Sequence, residues 1–341
     1  MKAAVFKQPG QPLVIETVPD PAPEPRQLIL KVGFCGICGS DLHSTRSGPA
    51  ALPCDSILGH EFAGEVVAVG SDLRREWQGG ERVCALPFLG CGSCAACLTG
   101  RPFECASVRL TGFQVPGAFA EYVATGALET LRIPDSLALQ DAALVEPLAV
   151  GLHSVRIAGM QAGARVLVTG AGPIGLAVLL WARAIGARTV VMSEFSAERR
   201  ALALRLGADA IIDPTQELGA QFADIAGGPP DMIFECVGAP GLLAQCVAAA
   251  PRRTRIIAVG VCEQPDTFVP YAALLKELEI RFAIAYTRDD FETTIAMLGS
   301  GRLDARALIT QVVPLGEFPS AFEALRNPTQ QCKVLAQIGA A

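Results

Sequence analysis

The chain opens with short runs in which apolar and polar positions alternate: AAVF at residues 3–6, LVIETV at 13–18 and LILKVGF at 28–34. A period of two broken by Pro-rich and Gly-containing turns predicts strands of an antiparallel or barrel-like β domain. FAGEVVAVGS (62–71) and GERVCALPF (80–88) continue the pattern, and GAFAEYV (117–123) returns to a strand. The segment IPDSLALQDAALVEPLAVGLHSV (133–155) then predicts a helix, with Asp135 or Ser136 as its cap and Pro147 starting or kinking a continuation through His153.

From residue 164 the pattern changes. ARVLVTGAGPIGLAVLLWARAIGA (164–187) reads as a buried apolar strand, a Gly-rich turn and a long apolar helix. RTVVMSE, ERRALALRLGA, AIIDP, DMIFECVG, LLAQCVAAA and RIIAVGV follow. Buried strands alternating with helices predict a doubly wound parallel sheet. Beyond about residue 285 come FETTIAMLGSG, helical, then ALITQVVPL and an amphipathic SAFEALRN, and the last run, CKVLAQI, reads as β again.

Composition narrows the class. A chain of 341 residues, 51% hydrophobic and 6% aromatic, suits two compact domains of an α/β protein. A net charge of −6 with no basic run argues against a nucleic-acid or acidic-membrane surface. The first apolar run is broken by Lys7, and the longest clean one, residues 174–182, is about half of a membrane span. A cytoplasmic protein is the expectation, and its twelve Cys then read as thiols and metal ligands rather than disulfides.

Four of those Cys lie close together. Cys91, Cys94, Cys97 and Cys105 stand at CxxCxxCx7C spacing in a Gly-rich loop, 91–105, with little apolar content of its own. Four thiolates so spaced can surround one Zn²⁺ and supply the loop's folding energy. An iron–sulfur cluster would use the same residue type, but the last spacing differs from the ferredoxin runs. Residues 33–61 hold a different set: Cys38, then Ser40, Asp41 and His43, then His60 and Glu61. Thiolate, imidazole and carboxylate together suit a zinc ion with one open position, and the Ser40 hydroxyl is near enough to exchange a proton there. Glu146 sits in an apolar run where an unpaired carboxylate is costly, which makes it a ligand or a supporting group. His153 lies seven residues on, about 10 Å along a helix, and is assigned to structure.

Gly170, Gly172 and Gly175 form GxGxxG directly after a strand and at the start of a helix, with Pro173 and Ile174 completing the turn. In that setting the motif cradles a dinucleotide pyrophosphate on the helix N-terminus. Glu194, ending the next strand nineteen residues beyond Gly175, suits a ribose 2′-hydroxyl and so favours NAD over NADP. Arg199 and Arg200 nearby leave room for a phosphate, and Val261, closing RIIAVGV, joins Arg199 in the expected cofactor contacts.

Taken in order, GICGSDLH, GHE, the four-Cys lobe, EPLAVGLHSV, GAGPIG and LGAD resemble the zinc-containing alcohol dehydrogenases of the medium-chain dehydrogenase/reductase superfamily, above all its polyol, threonine and butanediol branch. The resemblance implies a GroES-like, β-rich catalytic domain built from both chain ends, with a Rossmann domain inserted. The expected bounds are 1–150, 151–285 and 286–341, and the expected assembly is a homodimer or homotetramer. It implies Cys38 and His60 as catalytic zinc ligands, with Glu61 and Glu146 binding directly or through water. It implies Ser40 and His43 as a proton relay, and Asp41 as the carboxylate that holds the zinc His.

The expected function is a zinc- and NAD-dependent interconversion of an alcohol with a ketone or aldehyde. The rivals are an NADP-using carbonyl reductase of the same fold and a non-enzymatic dinucleotide-binding protein. Residues 85–89, ALPFL, are expected to line part of the substrate pocket, and their apolar character makes a hydrophobic secondary or cyclic alcohol at least as fitting as a polyol.

Overall fold

The computed structural model describes residues 1–46, 52–327 and 330–339. The chain forms two units, Met1–Glu146 with Thr287–Ala341, and Pro147–Tyr286. Among the described residues no helix is long and apolar enough to cross a membrane.

The first unit is built on a sheet whose spine is Gln27–Gly36, buried along most of its length. On one side it pairs antiparallel with Glu61–Val69, followed by Arg82–Ala85 and Thr130–Arg132. Its early residues also pair with Tyr122–Gly126. The terminal strand Lys333–Gln337 pairs with its far end, Leu335 opposite Gly36, and Ile309–Pro314 runs parallel beyond. A strand from the last ten described residues is thereby a neighbour of the one that leads into Cys38. The core of this unit includes a tilted cluster of rings, Phe119–Phe318 at 4.5 Å and Phe318–Phe322 at 6.1 Å.

The second unit is a six-stranded, all-parallel sheet. Its order is Ala210–Ile212, Thr189–Ser193, Arg165–Thr169, Met232–Glu235, Arg255–Ala258, Glu279–Phe282. The first strand in sequence is central and the order reverses beside it, the doubly wound arrangement expected. Chain order alone did not reveal the sixth strand, because Glu279–Phe282 is a half-polar edge strand and lacks the continuous apolar run of a buried one.

Two local expectations are corrected. Neither Asp135 nor Ser136 caps a helix: Ser136 donates its hydroxyl to the Gly299 carbonyl at 2.8 Å, and the short helix Leu139–Ala142 starts after Ala138. The longer helix is Val145–Ile157 and runs through Pro147 in its first turn, where the missing N–H costs nothing.

Candidate active site

Cys38 ends the extended segment after Gln27–Gly36 and stands at the N-cap of the six-residue helix Gly39–Ser44. The helix starts there because the Asp41 carboxylate reaches back to accept the Cys38 N–H at 2.9 Å. That bond orients the thiol. The same carboxylate is fully buried and points its other oxygen at His60 Nδ1, 3.4 Å away. Neither Asp41 Oδ1 nor His60 Nδ1 completes a hydrogen bond. The pair is poised to hold an imidazole whose opposite nitrogen faces a cation. Burial, the largest influence on His60, works to lower its pKa, but Asp41 and Cys38 outweigh it and leave it well above the usual imidazole value.

Glu61 lies directly opposite Gly36 in the sheet, and its carboxylate uses the space that glycine leaves: a Cβ on Gly36 would sit 2.2 Å from Glu61 Oε2 and displace it. Ligand atoms of Cys38, His60 and Glu61 all fall within 4.8 Å of one another. Thiolate, imidazole and carboxylate at that separation fit one zinc ion with a position to spare. Glu146, 8% exposed at the start of its helix, is not one of these three, but its charge reaches Lys333 beside them. Ser40 and His43 lie on the helix that Cys38 caps, both half-buried.

Three neighbours of this site carried no signal read from the chain. Lys333, 2% exposed, places its ammonium 2.7 Å from each Glu61 oxygen and 3.1 Å from the Ile37 carbonyl. Phe113 packs its ring against His60, centroids 5.4 Å apart. Arg326 reaches the Gly39–Ser44 helix and its C-cap from the C-terminal segment, donating to Leu42 O at 3.0 Å and Thr45 Oγ1 at 2.9 Å. Lys333 was findable, since a lysine inside the apolar run CKVLAQI raises the same cost that singled out Glu146.

The other cluster closes on itself. Cys94 and Cys97 sulfurs are 3.6 Å apart and Cys91 and Cys97 4.0 Å, while sulfurs bonded to one tetrahedral zinc stand about 3.8 Å apart. Backbone N–H groups aim at the thiols: Cys94 N–H at Cys91 Sγ, 3.3 Å, and Cys91 N–H at Cys105 Sγ, 3.4 Å. The Ser93 hydroxyl, with the Ser93 and Cys94 amides, pulls Cys91 down to about 5, whereas burial pushes Cys97 up to about 12. Such a set accepts a divalent cation and leaves it no vacancy.

In the second unit Gly170 takes φ +84° and a Cβ on Gly175 would strike the Gly170 carbonyl at 2.0 Å, so both glycines are steric necessities. A Cβ on Gly172 would project into open space at the N-cap of Pro173–Ile185, room that a phosphate can use. Ile174 lies in that helix's first turn. Glu194 is 9% exposed and accepts from the amides of Ala171 (2.9 Å), Phe195 (2.7 Å) and Ser196 (2.9 Å), which ties it to the glycine turn. Arg200 donates to the Glu194 carbonyl; Arg199 is half-buried on the next helix, and Val261 is 62% exposed.

The comparisons with known proteins agree with this geometry. Residues 24–135 match the alcohol dehydrogenase GroES-like domain and residues 173–300 the zinc-binding dehydrogenase family. The chain is 33% identical to (R,R)-butanediol dehydrogenase of Bacillus subtilis (strain 168), over 99% of each chain. It is also 33% identical to the sorbitol dehydrogenase of the same organism, over 97% of this chain and 95% of that one. An alcohol dehydrogenase from Escherichia coli CFT073, solved in complex with NADH, superposes with a TM-score of 0.89 at 29% identity, covering 99% of each chain. The chain therefore belongs to the zinc-type alcohol dehydrogenases, nicotinamide-dependent enzymes that interconvert alcohols and carbonyl compounds.

Proposed function

We propose that this enzyme oxidises an apolar secondary alcohol to the ketone with NAD, reversibly, as a cytoplasmic homodimer or homotetramer. The observation that carries the reading is the convergence of Cys38, His60 and Glu61 within 4.8 Å at the cap of the helix bearing Ser40 and His43. Cys38, His60 and Glu61, with Glu146 in support, would hold a catalytic zinc, and Cys91, Cys94, Cys97 and Cys105 a structural one. Zinc at the first site would supply Lewis acidity that lowers the pKa of the alcohol hydroxyl, and NAD would supply the hydride acceptor. Ser40 takes the hydroxyl proton and His43 passes it on toward solvent. Asp41 keeps His60 in one tautomer and orientation.

Glu194 supports NAD over NADP. Three backbone amides hold its carboxylate in place, so it cannot swing aside for a 2′-phosphate, and Arg200 is already engaged on its carbonyl. The Phe113 ring on His60 supports an apolar substrate over a polyol, which needs several hydroxyl partners. Self-association is supported by the open edge strand Glu279–Phe282, whose Phe282 is 75% exposed, and by Ile284 just beyond it, 76% exposed.

The test is a panel of secondary, cyclic and polyhydroxy alcohols with NAD and NADP, ranked by kcat/KM. Apolar secondary alcohols with NAD should lead, and Glu194→Ala should move the NAD-to-NADP ratio toward NADP by about tenfold. A polyol or NADP preference in the unaltered enzyme would overturn the corresponding part. Light scattering decides the assembly.

A further inference from the structure

His43, the last group of the proton path proposed above, sits on a helix too short to hold itself. Gly39–Ser44 has six residues, well below the roughly 12 a lone helix needs in water. Its first turn is fixed by the Asp41 carboxylate on the Cys38 N–H, 2.9 Å away. Its last turn is fixed from outside. Arg326 Nη1 donates to the Leu42 carbonyl at 3.0 Å and Nη2 to Thr45 Oγ1 at 2.9 Å, so the guanidinium grips the chain on either side of His43. Accepting that bond, the Thr45 hydroxyl turns its own hydrogen inward, toward the Asp41 and Leu42 carbonyls at 3.2 and 3.1 Å.

The grip is itself anchored. Glu323 accepts from Arg326 Nε at 2.7 Å and from Nη2 at 3.0 Å, a two-point fork that fixes the guanidinium plane. The Phe322 ring lies 5.5 Å from the guanidinium carbon and is fully buried against Phe318 and Phe119. The Arg326 side chain is 19% exposed. Two of its four bonds keep the guanidinium still, and the other two pass that rigidity to the helix.

We propose that Arg326 is a positioning residue for proton transfer: with Glu323 it fixes the helix turn that carries His43, and so keeps the imidazole in line between Ser40 and solvent. The inference rests on the relay reading of Ser40 and His43. No proton passes through Arg326, whose charge is permanent; it acts through the backbone that it holds.

The experiment follows NADH formation in a single turnover, so that product release does not mask the proton step. It uses the alcohol that leads the panel above and rising concentrations of N-ethylmorpholine at fixed pH, a tertiary amine that accepts protons but is too crowded to ligate zinc well. His43→Gln calibrates the readout: it should slow the reaction by about tenfold and recover as the amine rises. If it does neither, the relay reading fails and this proposal with it. Given that response, Arg326→Ala should lose about fivefold with metal content unchanged and recover with the amine in the same way. Combined with His43→Gln it should add no more than about a further twofold loss. Arg326→Lys keeps the charge without the fork, so it should fold even if Arg326→Ala does not, and should lose about twofold with the same recovery. Unchanged rates, a loss that the amine does not relieve, or one that multiplies in full with that of His43→Gln would overturn the proposal. Should only Arg326→Lys fold, the same three results in it decide the matter.

Discussion

The two cysteine-bearing sites of the first unit make opposite use of similar chemistry. In the lobe, four thiols from fifteen consecutive residues meet near the surface around a single-turn helix, Ala95–Leu98, with no buried residue and Leu98 71% exposed. Little apolar contact holds that loop beyond the buried Pro102 and the Phe103 ring tilted against Phe88 at 6.0 Å, so coordination must do most of it. At the other site one thiol meets an imidazole and a carboxylate from a separate strand, inside the sheet, beside a lysine from the chain's far end. There the scaffold holds the ligands, and coordination is free to stay incomplete. A closed site contributes stability, and an open one contributes reactivity, at the cost of burying charges that need balancing.

The contrast breaks most visibly at Cys38. Cys38→Ala should lower turnover by on the order of 10³-fold or more and remove one metal per chain, leaving the lobe loaded. Metal analysis with initial rates checks it, and near-normal turnover would merge the two sites into one structural class. Cys97→Ser should do the reverse. We expect a loss of about 3 kcal/mol, a thermal midpoint roughly 6–12 °C lower, and near-normal turnover per folded molecule. A fall in turnover without a fall in midpoint would put the lobe in the chemistry.

Two smaller effects sharpen the difference. Ser40→Ala should slow turnover by about 10²-fold while metal content, midpoint and NAD affinity stay unchanged, because the role proposed for the hydroxyl is proton transfer alone. Arg288 ties the returning chain to the lobe, its amide donating to Gly100 O at 2.8 Å and its guanidinium to the Leu128 carbonyl. Arg288→Ala keeps the amide bond to Gly100 and loses only the guanidinium, so it should cost about 1 kcal/mol and speed release of lobe metal to a chelator by at most about twofold, with the Cys38 site untouched. Equal acceleration at both sites would show that they are not independent.

The same contrast explains how much could be read from the chain. The lobe was legible because its ligands are local: spacing alone placed the four Cys. The glycine turn was legible because each of its steric demands is met within one strand–turn–helix unit. At the open site Cys38, Asp41 and His60 could be named from their residue types and order. Lys333 was legible only as a lysine in an apolar run, not as the partner of Glu61, and Phe113 and Arg326 not at all, because what matters about them is whom they meet across 272, 53 and 284 positions of chain, and only pairing of Lys333–Gln337 with Gln27–Gly36 creates the first of those meetings.

By itself, then, the order of residues determined the two architectures, the ligand types, the four-thiolate lobe and the dinucleotide turn, since periodicity and short-range spacing encode them. The tertiary structure alone decided that Glu61 is shared with an ammonium, that Asp41 serves both a helix cap and His60, and which side chains enclose the metal position. Those are balances of charge and space between distant segments, and no local pattern carries them.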